Sequence, residues 1–104
     1  MNTQIFENIR TLKRRLLPNE RMILFGSQAR GDYREDSDWD LLVLLNKNGK
    51  ITSEEDTEYG YPFEVIGWEF GVAINTIVYS NEDWEKRTIT PFYKNVKKEG
   101  IEIK

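Results

Sequence analysis

The stretch Asp38-Trp39-Asp40-Leu41-Leu42-Val43-Leu44-Leu45 constrains the fold more than any other part of the chain. Five consecutive aliphatic residues, Leu41 to Leu45, place apolar side chains on both faces of a strand, because successive side chains point to opposite sides. Such a strand must be covered on both faces, which makes it central in a sheet packed between helices. The same alternation sorts its polar start. Asp38 and Asp40 project to one face, and Trp39 and Leu41 to the other. Two carboxylates converging there repel each other, and unless one is protonated a cation is the simplest compensation.

Composition narrows the chemistry. The chain has 104 residues, the length of one domain spanning 1–104, and neither cysteine nor histidine. A disulfide frame, a cysteine nucleophile, a Ser-His-Asp triad and most zinc chemistry are therefore excluded. Carboxylates, hydroxyls, backbone groups, Arg and Lys remain, and the metal to look for is a hard, oxygen-liganded ion such as magnesium. No run of about 18 apolar residues is present, so a membrane span is excluded. MNTQIFENIRTLKRR lacks an apolar signal core, so a cytoplasmic location is expected. The net charge of −3 argues against general nucleic-acid binding. It is unevenly spread: +4 over residues 1–34, −8 over 35–70 and +1 over 71–104. That split suits a site for phosphates and metal ions, and equally suits solvated helix faces of differing sign.

Helices alternate with strands along the chain, giving an α/β (α+β) class. Ile5, Ile9, Leu12 and Leu16 recur at helical spacing, Phe6 and Leu17 widen the stripe, and Pro18 ends it. Met22–Phe25 reads as a buried strand, Trp39–Leu45 as a second and Val72–Tyr79 as a third. A helix from Thr52 onward carries a capping box, Thr52 with Glu55 or Ser53 with Asp56. Pro62 either kinks that helix or opens the main one, which runs to Phe70 with Phe63, Ile66 and Phe70 buried. Ser80 with Asp83 caps a short helix bearing Trp84, and Pro91–Lys98 forms a last helix closed by Gly100. Ile101-Glu102-Ile103 alternates like an edge strand or a docking tail. Trp68 and Trp84 read as core or partner-facing packing.

The chemistry-bearing stretch is Gly26-Ser27-Gln28-Ala29-Arg30-Gly31, followed by Ser37-Asp38-Trp39-Asp40. A strand running into Gly-Ser and a short helix leaves free backbone N–H groups at a positive helix end, which suits phosphate. Gly26 permits close approach, and Ser27 adds a hydroxyl. Arg30 either reaches phosphate or ties the loop to Asp36; Ser37 reads as a turn former.

These motifs, Gly26-Ser27-x-Ala29-Arg30-Gly31 and Ser37-Asp38-x-Asp40-Leu41, resemble the minimal nucleotidyltransferases of the DNA polymerase beta-like superfamily. The resemblance extends to about Glu85. It implies a small mixed sheet flanked by helices that binds a nucleoside triphosphate, ATP above all, with magnesium. Gly26 and Ser27 would hold the β- and γ-phosphates, and Asp38 and Asp40 would ligate the metal and serve catalysis. The implied reaction is in-line attack of an acceptor hydroxyl on the α-phosphorus with loss of pyrophosphate. A third carboxylate is expected on a later strand, and aligning Ile74–Ile77 with that strand puts Asn75 there, a weaker ligand. Glu64 and Glu69 are the nearby acids that could replace it. Small proteins of this type resemble the antitoxin half of a two-component module whose partner is a helical HEPN-domain protein. The implied acceptor is then a tyrosine of that partner. A degenerate fold acting only as a partner-binding module, and a transferase for a small molecule, are the alternatives.

Overall fold

The computed structural model describes residues 1–104. Its elements, in chain order, are α1 (Thr3–Leu16), β1 (Arg21–Phe25), α2 (Ser27–Arg30), β2 (Trp39–Leu45), α3 (Ser53–Phe70), β3 (Ile74–Ser80), α4 (Asn81–Glu85), α5 (Pro91–Glu99) and β4 (Ile101–Ile103). The four strands form one mixed sheet in the order β3-β2-β1-β4. β1 pairs antiparallel with both β2 and β4, and β2 pairs parallel with β3.

The aliphatic run takes the interior position that its two-sided apolarity demands, and Leu41 through Leu45 are all buried. Trp39, Leu41, Val43 and Leu45 pack with Ile5 and Ile9 of α1 and Phe63 and Ile66 of α3. Leu42 and Leu44 pack on the other face with Ile23, Trp84 of α4 and Val96 of α5. Asp38 and Asp40 lie on the second of these faces, because the pleat puts them in phase with Leu42 and Leu44.

Local chemistry sets the element ends. Asn2 caps α1, its side-chain oxygen accepting from the N–H groups of Gln4 and Ile5. Of the two readings at the start of α3, the Thr52–Glu55 capping box is the one formed. Lys47 also donates to Glu55 at 2.9 Å, and these hydrogen bonds hold the Glu55 carboxyl below its usual range. Ser80 caps α4 through the N–H of Asp83, as the sequence predicts.

Two details differ from the sequence reading, and two readings left open are decided. Pro62 does not open the main helix; it lies inside the single helix Ser53–Phe70. The hydrogen bond it cannot donate is offset by the burial of Phe63 and Ile66 beside it. β3 begins at Ile74, since the N–H of Val72 is still engaged with the Gly67 carbonyl at the end of α3. In α1 the third inward position after Ile5 and Ile9 is Lys13, whose stem is buried, while Leu12 and Leu16 are only partly covered. The sheet has a fourth strand: of the two readings for Ile101–Ile103, the edge strand is the one formed. A two-pronged contact fastens it, with Arg21 Nε and Nη2 donating to the two carboxylate oxygens of Glu102 at 3.0 and 2.9 Å. That contact lowers the Glu102 carboxyl from its ordinary value and raises the Arg21 guanidinium.

Candidate active site

β1 ends at Phe25, and the chain turns at once into α2 through Gly26. The backbone of Gly26 has φ 75° and ψ −159°, a region open in practice only to glycine. A second constraint acts at the same residue: a Cβ there would collide with Oδ2 of Asp40. Glycine at 26 therefore lets the turn and the carboxylate share one place. Beyond it, Ser27 and Gln28 open α2, and their N–H groups have no acceptor within the helix.

Register brings the acidic side chains together. Asp40 stands opposite Phe25 on β1 and opposite Asn75 on β3. The ladder between β2 and β3 extends one step further through the N–H of Trp39 and the carbonyl of Ala73 at 2.9 Å, which steadies the backbone beside Asp38. Nδ2 of Asn75 donates to Oδ2 of Asp38 at 3.0 Å and to Oδ1 of Asp40 at 3.2 Å. The two accepting oxygens are thus no farther apart than the sum of those distances. None of the ion pairs in the protein includes either aspartate. Two converging carboxylates with an amide as their side-chain partner form an all-oxygen, anionic donor set, which fits magnesium in both hardness and charge.

The site lies beside the aromatic cover of this face. Phe92, at the start of α5, packs edge-on against Phe25 with ring centroids 5.3 Å apart, and Trp84 packs on Phe92 in turn. Asp40 is half-buried at the border of that layer, whereas Asp38 and Asn75 are exposed.

Gly26, Ser27, Asp38, Asp40 and Asn75 are thus gathered at one end of the sheet, as their spacing predicts. Arg30 is not tied to Asp36. It pairs instead with Asp32, Nε to Oδ2 at 3.3 Å, and with Glu99 at the end of α5, Nη1 to Oε1 at 3.3 Å. The contact with Asp32, helped by Glu99, raises its guanidinium further above an already high value. Ser37 is a turn former, its hydroxyl accepting from the N–H of Arg34 at 2.7 Å. Glu64 does not join the aspartates: it accepts from the Thr76 hydroxyl at 2.8 Å, and Thr76 faces away from Asn75 by the strand alternation. Glu69 lines a groove between α1 and α3.

Sequence reasoning passed over Gln28. It is buried, and its Nε2 donates to the Ser37 carbonyl at 3.3 Å, which ties α2 to the turn that leads into Asp38. A long amide two residues after the glycine turn was the available signal, but its inward direction depends on packing against distant residues.

Known proteins resemble this chain in sequence and fold. A family model described as a nucleotidyltransferase domain matches residues 7–103. Two proteins of Methanocaldococcus jannaschii, both provisionally named protein adenylyltransferases, are similar in sequence. One is 37% identical over 84 residues, covering 78% of this chain and 74% of its own length. The other is 32% identical over 90 residues, covering 81% and 78%. A crystal structure described as a toxin-antitoxin with AMP-PNP superposes with a TM-score of 0.63 at 17% identity, over all of this chain and 73% of the other, and so shares its fold. The match over nearly the whole length, together with the relatives, shows that this chain belongs to the nucleotidyltransferase domain family and is a nucleotidyltransferase.

Proposed function

We propose that the protein transfers AMP from ATP to a hydroxyl of a protein acceptor, a tyrosine of a helical HEPN-type toxin partner, and acts as the antitoxin of that pair. The observation that carries the reading is the convergence of Asp38 and Asp40 beside the glycine turn at Gly26. The names of the two archaeal relatives support an adenylyl group and a protein acceptor, and the fold shared with a toxin-antitoxin structure supports a toxin as that acceptor.

In this reading Gly26 lets the triphosphate approach the backbone, and the N–H groups of Ser27 and Gln28, with the Ser27 hydroxyl, donate to its terminal phosphates. Asp38 and Asp40 hold magnesium. When bound, that ion offsets the charge of the phosphates and of the departing pyrophosphate. The acceptor oxygen bonds to the α-phosphorus as the bond to the bridging oxygen of the β-phosphate breaks, and the hydroxyl proton passes to solvent. Arg30 reaches a phosphate only by leaving Asp32 and Glu99, an exchange of exposed contacts that costs little.

One observation favours a second reading. Asn75, a neutral amide, stands directly beside the two aspartates, so the same fold would suit a module that binds nucleotide and partner with little turnover. Incubation with labelled ATP, magnesium and the protein encoded beside it, followed by mass spectrometry of both chains, separates the two. An AMP adduct on a partner tyrosine supports transfer. A stable complex without an adduct supports the binding module, and the absence of both adduct and complex overturns the antitoxin reading.

A further inference from the structure

We infer that Asn75 makes this a site for one divalent cation rather than for a pair of cations. The inference rests on the nucleotide and metal reading above and deepens it.

Asp40 has two carboxylate oxygens, and its neighbours treat them differently. Oδ1 faces β3 and accepts from Asn75 Nδ2. Oδ2 faces β1, where an added Cβ on Gly26 would strike it. The same Nδ2 also donates to Oδ2 of Asp38, so the two hydrogens of one amide group serve two carboxylates. The β3 side of the acidic pair is therefore closed by a hydrogen-bond donor, whose hydrogens repel a cation. On the other side Oδ2 lies against the bare backbone of Gly26, and in the proposed reading the triphosphate sits beyond it, bringing its own charge and oxygen ligands.

Charge leads to the same count. Two divalent ions held about 3.5–4 Å apart carry four positive charges and need ligands that bridge or flank both. Here two carboxylates supply two negative charges, and no group of three or more acidic side chains is placed to hold a metal ion. Glu64 of α3 is held by the Thr76 hydroxyl on the other face of the sheet. A triphosphate compensates an ion on its own side, but an ion on the β3 side would gain from it only at a distance. Turning the Asn75 amide to present Oδ1 would supply one neutral ligand, and it would leave both aspartates without their donor.

The test counts bound manganese in the presence of AMP-PNP, by electron paramagnetic resonance together with calorimetry. The wild-type protein is expected to hold one Mn2+ per bound nucleotide. Asn75→Asp replaces the donor with a third carboxylate and is expected to hold two, the second binding at least tenfold more tightly than any second ion in the wild type. A wild-type count of two, or an Asn75→Asp count that stays at one in a folded protein, overturns the inference. Should the variant fail to fold, the wild-type count decides alone. If neither protein binds AMP-PNP, the nucleotide reading itself fails and takes this inference with it.

Discussion

Asp40 is held from two sides, by the bare backbone of Gly26 and by the amide of Asn75. Its charge and that of Asp38 face no cationic side chain, so removing the charges should cost the fold little. Asp38→Asn with Asp40→Asn keeps side-chain volume almost unchanged and leaves the buried cluster around Leu41 to Leu45 intact. We expect the double variant to melt at or above the wild-type temperature without metal, and to lose the magnesium dependence of ATP binding in calorimetry. Magnesium-dependent binding that persists unchanged would move the metal away from these residues. The positions of both aspartates were legible in the sequence because strand alternation is a local rule, and Asn75 was legible only through the resemblance, by aligning Ile74–Ile77 with the strand expected to carry a third carboxylate. The partner of Arg30 was not. Glu99 lies 69 residues away and meets Arg30 only because α5 folds back across β1. Gln28 escaped for the same reason: its burial is decided by tertiary contacts rather than by its neighbours in sequence.

Among the elements, α3 shows most clearly where local signals stop. Its capping box and its end at Gly71 are written in short patterns, yet Pro62, Gly60 and Gly67 all argue against one continuous helix by propensity. The structure gives the two glycines a reason. A Cβ at Gly60 would meet the Thr76 hydroxyl at 2.7 Å, and one at Gly67 would meet the Val72 carbonyl at 2.5 Å and Ile74 Cγ1 at 2.9 Å. Both lie where the helix rests on β3, the strand that carries Asn75. Close approach, rather than flexibility, explains their presence. Intrinsic propensity predicts that Gly67→Ala gains up to about 1 kcal/mol in a helix. Overpacking against a backbone carbonyl opposes it by about 1–3 kcal/mol. We expect a net loss in urea unfolding, with a lower midpoint and an unchanged slope. A gain in stability would show that α3 can lift from β3, and that the register of Asn75 is less firmly set than the packing indicates. Helix-sheet distance of this kind is invisible to periodicity, which is why the sequence left the course of this helix open.

For the whole molecule, a transferase with a protein acceptor needs a docking surface as well as a reaction site, and the two tryptophans left open by the sequence part company here. Trp84 is core, enclosed by Tyr79, Phe92 and Tyr93. Trp68 is 64% exposed, and its ring meets that of Tyr61 edge-on at 5.5 Å on the outer face of α3. Beside them Leu12, Val65 and Ile66 line a groove of ≈480 Å³ between α1 and α3, with Arg15 and Glu69 also in its lining. An exposed aromatic pair, one ring of which lines that groove, has the composition of an interface anchor, where a single tryptophan can contribute about 2 kcal/mol or more. Removing it should not weaken the fold, because Trp68 gives the core little. We therefore expect Trp68→Ala to retain the wild-type melting temperature and magnesium-dependent ATP binding, while weakening association with the proposed helical partner by about thirtyfold, equivalent to about 2 kcal/mol. Titration of the partner followed by size-exclusion chromatography reads the change directly. If Trp68→Ala binds the partner as tightly as the wild type, this face is not the interface. Contact must then come through the exposed margin of the reaction site itself, where Asp38 and Asn75 stand open to solvent.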